Sequence, residues 1–168
     1  MIIEICASSF ESAQAAQLAG ADRIELCTEL SVGGLTPSQG LIEKVISELN
    51  IPTHVLIRPR SGNFTYSEEE VDVMLRDIAF CKKIGCAGIV SGFLTSENKI
   101  ESEKTQQLIE TSDGMEFTFH RAFDWVENPL EELQKLIDLK VNRLLSSGQK
   151  PTAIEGISLL KDLQKHAK

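Results

Sequence analysis

Short runs of alternating apolar and polar residues recur along the chain, and each is followed by a stretch with helical spacing. In Ile2–Cys6, Ile3 and Ile5 fall on one face and Glu4 and Cys6 on the other. In Asp22–Cys27, Ile24 and Leu26 oppose Arg23, Glu25 and Cys27. In Thr53–Arg58, Val55 and Ile57 oppose His54, Leu56 and Arg58, and in Glu116–His120, Phe117 and Phe119 oppose Thr118 and His120. Gly88–Ser91 and Asn142–Ser146 read as two further short strands.

Helix signals fill the intervals. Ser8-x-x-Glu11 reads as a capping box for a helix over Ser9–Ala19, ended by Gly20. Thr36-Pro37 with Gln39 predicts a helix start that runs to Leu49. Ser67-x-x-Glu70 opens a long helix, Glu68–Ile84, ended by Gly85. Shorter helices are expected within Glu101–Glu110 and from Asn128-Pro129 to Leu139, and Thr152-x-x-Glu155 predicts the start of the last one.

Strict βα alternation implies a parallel sheet with right-handed crossovers. Central strands of an open doubly wound sheet read as continuous apolar runs. These strands keep one face partly polar, which suits a TIM-type (β/α) barrel whose inward residues line a site at the C-terminal strand ends. About six βα units are present, and strands 7 and 8 are not evident, whereas a closed eightfold barrel takes about 250 residues. The expectation is a single α/β domain over residues 1–168, an incomplete barrel truncated at its C-terminus, whose open edges favour a homo-oligomer.

Composition narrows the function. The net charge of −8 and the lack of a basic stripe argue against nucleic acid. No apolar run reaches the roughly 20 residues of a membrane span, and Met1–Cys6 does not resemble a signal peptide. The four cysteines, Cys6, Cys27, Cys81 and Cys86, form no CxxC and no disulfide framework, so a cytoplasmic setting with reduced thiols is expected.

If the apolar strand faces meet helices, the inward set is Glu4, Cys6, Arg23, Glu25, Cys27, Leu56, Arg58, Thr118 and His120. Glu4 and Glu25 are expected side by side, either as an acid/base pair or as members of a buried ion network. Arg58 and Arg60, with Arg121 farther on, suit a carboxylate or phosphate, or else neutralise the glutamates. Cys6 and Cys27 suit a soft ion such as Cu(I), or serve as small buried hydrophobes. His120 is a candidate proton shuttle with Asp124 to orient it, or a structural histidine. His54 is placed at the opposite, stability face. Gly33-Gly34 and Ser146-Ser147-Gly148 either present N–H groups to an anion or form plain turns.

The segments Gly20-Ala21-Asp22-Arg23-Ile24-Glu25-Leu26-Cys27, Gly33-Gly34-Leu35-Thr36-Pro37-Ser38, Ile57-Arg58-Pro59-Arg60, Phe119-His120-Arg121-Ala122-Phe123-Asp124 and Ser147-Gly148 together resemble the CutC family of copper homeostasis proteins. The resemblance implies a (β/α)8-type barrel, a cytosolic location and copper binding. It implies pocket residues Glu4, Cys6, Glu25, Cys27, Arg58, Arg60, His120 and Asp124. Two functions remain open at this point. One is copper homeostasis with Cu(I) held by Cys6 and Cys27. The other is a barrel enzyme on a small anionic metabolite, with the arginines holding the anion and Glu25 or His120, supported by Glu4 and Asp124, moving a proton.

Overall fold

The computed structural model describes residues 1–167. Six strands alternate with six α-helices. They are β1 (Glu4–Ala7), α1 (Phe10–Leu18), β2 (Arg23–Leu26), α2 (Gln39–Glu48), β3 (Thr53–Leu56), α3 (Glu68–Ile84), β4 (Gly88–Ser91), α4 (Ser102–Thr111), β5 (Glu116–Phe119), α5 (Pro129–Asp138), β6 (Arg143–Leu144) and α6 (Ile157–His166). The strands form one sheet in sequence order, with β1 and β6 at its edges.

The chain divides into two compact units. The first comprises Met1–Asn63, Ser67–Val90 and Thr111–Glu116. Its core is aliphatic: Ile24, Leu26, Val55 and Ile57 are fully buried, as are Val45 of α2 and Met74 and Ile78 of α3. On α3 the buried positions Val71, Met74, Ile78 and Cys81 make one apolar stripe at helical spacing. Ser67 caps this helix with Glu70 in a reciprocal box, as the sequence predicts, and Gly85 ends it at φ 85°.

The second unit comprises Phe64–Tyr66, Ser91–Glu110 and Phe117 onward. Phe117, Phe119 and Phe123 fill its interior, with Leu108, Leu133, Leu136 and Leu163 from the helices. Three phenylalanines supply much of the apolar area that a small core needs.

Several local expectations are corrected. Ser9, not Ser8, caps α1, because the Ser12 hydroxyl answers it in the capping box. Ser38 caps α2, and the Thr36 hydroxyl instead accepts the Arg58 N–H at 2.8 Å. Thr152 and Glu155 bond each other in a turn that precedes α6, whose N-cap is Gly156. Ile3 and Ile5 were expected under helices but remain 47% and 40% exposed. Ile5 lies on β1, an edge strand with one neighbour, and Ile3 immediately precedes it.

Candidate functional site

Asp22 sets the register at the start of the first two strands. Its carboxylate accepts the Ile3 N–H at 2.7 Å and its own N–H donates to Ile3 O at 3.0 Å. With that clamp closed, Glu4 lies opposite Arg23 and Cys6 opposite Glu25. Glu4 and Glu25 are therefore not direct neighbours, as the alternation suggested. Glu4 forms an ion pair with Arg23, and Glu25 faces a thiol.

Glu25 is 6% exposed, and its Oε2 has no hydrogen-bond partner among the described residues. Burial, reinforced by the charge of Glu4 and opposed by Arg23, pushes its carboxyl up to about 7. Cys6 is an exposed residue, but partial burial of its thiol and the charges of Glu25 and Glu4 push it up to about 11. Cys27 is fully buried, in a cluster with Leu56 and Val90. Its thiol is pushed up to about 12 by burial, then by Glu25 and Cys6, and it donates to Ala7 O at 3.7 Å. Glu4, Cys6, Glu25 and Cys27 thus share one electrostatic neighbourhood.

Arg58 and Arg60 go elsewhere. The Arg58 guanidinium is buried and donates to Val32 O at 2.8 Å, Gly34 O at 3.0 Å and Gly62 O at 2.9 Å. It clasps the loop that carries Gly33 and Gly34. Gly34 (φ 87°) lies so close to the core that a Cβ there would stand 2.6 Å from Leu56 Cδ2 and 3.5 Å from Cys27 Cβ. Arg58 therefore fixes the backbone that covers Cys27. Arg60 pairs with Glu70 at 2.5 Å and donates to Asn63 O. Both guanidiniums thus bond carbonyls of the Ser61–Asn63 loop, and the carboxylate paired with Arg60 is that of Glu70. The N–H groups of Gly33 and Gly34 are engaged with Leu30 O and Glu29 O, so this turn is a fold element.

The first unit also holds a depression of about 450 Å³ at the N-terminal strand ends, with Asp22, Arg23, His54 and Glu116 in its lining. His54 lies there as the sequence suggests, 1% exposed, with Nε2 3.2 Å from the Glu116 carboxylate. Its register partners are Glu25 on β2 and Gly88 on β4. A Cβ at Gly88 would meet the His54 ring at 2.6 Å, so the glycine makes room for the imidazole.

In the second unit, His120 follows β5 and is 5% exposed. Its Nδ1 accepts the Ala122 N–H at 3.3 Å, which places the proton of a neutral ring on Nε2. Phe64 packs edge-on against it at 4.9 Å, and Gly92 leaves the space that the ring occupies. Asp124 does not orient His120. It collects the Ser146 hydroxyl at 2.6 Å, the N–H groups of Ser147 and Gln149 at 3.1 Å, and Arg121 Nε at 2.9 Å. Burial pushes this carboxyl up, but the bonds from Ser146, Arg121, Ser147 and Gln149 outweigh it and hold it below its ordinary value. Arg121 reaches Ser147 Oγ as well, at 2.6 Å. Within the Ser146–Gly148 turn, the Ser146 hydroxyl and the Ser147 N–H thus go to Asp124, and the Gly148 N–H donates to Ser146 Oγ at 2.9 Å. Sequence reasoning missed this role for Asp124 and the glycines that seat both histidines; a glycine inside a strand pattern was the available signal.

The model of the CutC family matches residues 1–168. This chain belongs to the CutC family. A CutC family protein of Pasteurella multocida is 48% identical over 167 residues, covering 99% of this chain and 68% of that protein. One from Bacteroides thetaiotaomicron is 47% identical over 165 residues, covering 98% of this chain and 66% of that protein. The chain thus spans about two-thirds of the length of these CutC relatives. Among solved structures, CutC from Streptococcus agalactiae, a protein provisionally named for copper homeostasis, superposes with a TM-score of 0.92 at 35% identity. That match covers 99% of this chain and 83% of the other. The fold is accordingly an incomplete TIM-type (β/α) barrel with six parallel strands, as expected from the CutC resemblance. A phosphonomutase-like structure from Burkholderia cenocepacia shares the fold alone, at a TM-score of 0.67 and 12% identity. No helix among the described residues is long and apolar enough to cross a membrane.

Proposed function

We propose that this chain serves copper homeostasis in the cytoplasm by holding Cu(I) as cargo between the sulfurs of Cys6 and Cys27. The observation that carries this reading is the field the two thiols share: Glu25 opposes ionisation of both, and Cys6 opposes that of Cys27. A cation between the sulfurs relieves that repulsion. Two sulfur donors suit a soft, low-coordinate ion. No cluster of three or more His, Cys, Asp or Glu that could hold a metal occurs among the described residues, so a harder, higher-coordinate ion lacks its ligands. Binding displaces thiol protons, so affinity weakens as pH falls. Competition against a Cu(I) chelator tests this, with wild type compared with a Cys6→Ser/Cys27→Ser double variant. Loss of tight one-to-one binding in the variant supports the reading, and equal affinity contradicts it.

A second reading rests on Glu25 alone. A buried carboxyl with an unpartnered oxygen, titrating near neutrality, is suited to move a proton. The function would then be acid/base chemistry on a small phosphate- or carboxylate-bearing metabolite. Thermal-shift screening of such metabolites, on wild type and Glu25→Gln, checks it: a ligand whose shift depends on Glu25 favours this reading, and none counts against it. The exposed Ile5 on edge strand β1 and Ile3 just before it support association with a second copy, which sedimentation would report as a dimer.

A further inference from the structure

A second pair of cysteines lies at the end of a helix, away from Cys6 and Cys27. Helix α3 ends in a left-handed turn at Gly85, and the Cys86 N–H reaches back over that turn to Cys81 O at 3.0 Å. In this motif the side chains of the two bonded residues come together. The backbone bond limits the two Cα atoms to a separation of about 7 Å, by standard bond lengths. A disulfide spans Cα atoms up to roughly that distance. The side chains of Cys81 and Cys86 hydrogen-bond each other, and both are free thiols.

We infer that Cys81 and Cys86 form a peroxide-sensitive thiol pair that closes to an intrachain disulfide at the end of α3. Cys86 reacts first. The hydrogen bond from Cys81 holds its thiol below the ordinary value, against the effect of burial, so it is the more readily ionised partner. Cys81 is pushed the opposite way by the same bond and by burial. Cys86 is 5% exposed, and a surface depression of about 270 Å³ is lined by the residues on either side of it, Gly85 and Ala87. A small oxidant needs to reach only this sulfur.

The Cys86 thiolate attacks one oxygen of hydrogen peroxide; the O–O bond breaks, and the leaving hydroxide takes up a proton. The sulfur is left as a sulfenic acid. The Cys81 sulfur then attacks it; the S–S bond forms, the S–O bond breaks, and the departing hydroxyl leaves as water with the Cys81 proton. In sum, two thiols and one peroxide give one disulfide and two waters. The sulfurs lose the electron pair that the peroxide gains. Cys81 needs no contact with solvent, because its reaction is intramolecular.

Peptide mapping after peroxide treatment of the folded, full chain tests the inference. Remaining thiols are alkylated under denaturing conditions before tryptic cleavage at Lys82 and Lys83, which lie between the two cysteines. The expected result is a joined pair of peptides, containing Cys81 and Cys86, that separates on reduction with dithiothreitol. In Cys81→Ala, the Cys86 sulfenic acid persists and is captured by dimedone. Recovery of Cys81 and Cys86 both alkylated, at peroxide levels that oxidise the exposed Cys6, would overturn the inference. So would cross-links from either residue to Cys6 or Cys27 instead. The wild-type map decides the matter even where the variant does not fold.

Discussion

Replacing Glu25 with glutamine removes one ionisable group from the interior and nothing of comparable size. The folded chain raises this carboxyl from its ordinary 4.5 to about 7. An acid whose affinity for protons rises on folding is charged at a cost in the native state, so between those two values the folded form binds more protons than the unfolded one. Stability therefore falls as pH rises through this window. Each tenfold change in proton affinity is worth about 1.4 kcal/mol, so Glu25 removes about 3 kcal/mol of wild-type stability between pH 4.5 and pH 8. Glutamine keeps the shape but does not titrate. Urea unfolding of both proteins at a series of pH values isolates this contribution, since every other titrating group is common to the two. The difference in unfolding free energy should move in favour of Glu25→Gln by about 3 kcal/mol from pH 4.5 to pH 8, with its midpoint at about pH 6 and little further change above about pH 7. The constant part of the difference, including any poorly bonded amide, does not enter. Parallel pH profiles for the two proteins would refute the assignment of a raised carboxyl at Glu25. They would also remove the electrostatic basis for both functional readings of this strand pair.

Two further perturbations probe the frame around the site. Gly88→Ala sets a methyl 2.6 Å from His54 Cε1 and 2.8 Å from Glu116 O, and should destabilise by about 1–3 kcal/mol in urea unfolding. Gly40→Ala, on α2 with nothing within 4 Å of the added methyl, should be neutral or stabilise by up to about 1 kcal/mol; equal losses at the two positions would show that His54 does not need the space. Asp124→Ala strands the N–H groups of Ser147 and Gln149 together with Arg121, and should cost about 3 kcal/mol or more by the same assay. A loss within about 0.5 kcal/mol would mean that the Ser146–Gln149 turn holds itself.

The βα alternation was legible because short strands with a period of two stand between capped helices. Ser67-x-x-Glu70 marked its helix correctly, since the reciprocal bonds lie within four residues. The register of β1 against β2 was not legible. It depends on Asp22 clamping the backbone of Ile3, a contact between residues nineteen positions apart. With that clamp in place Glu4 lies opposite Arg23 and Cys6 opposite Glu25. Parity singled out Glu25, Cys27, Arg58 and His120, all of which are buried, but parity carries no information about partners. Arg58 and Asp124 have the chemistry of anion binding and proton relay. In the folded chain they satisfy loop carbonyls and loop amides, because buried turns must place those groups somewhere. The contact between Cys81 and Cys86 was likewise hidden, although Gly85 between them signalled the turn that makes it.

Copper K-edge X-ray absorption on the chain loaded with one equivalent of Cu(I) tests the central proposal most directly. Measurement in parallel on a Cys81→Ala/Cys86→Ala variant removes the other thiol pair from consideration. Coordination by two sulfurs, retained in that variant and lost in Cys6→Ser/Cys27→Ser, is the predicted result. A sulfur environment that survives the Cys6→Ser/Cys27→Ser change, or an environment of oxygen and nitrogen in the wild type, would contradict it.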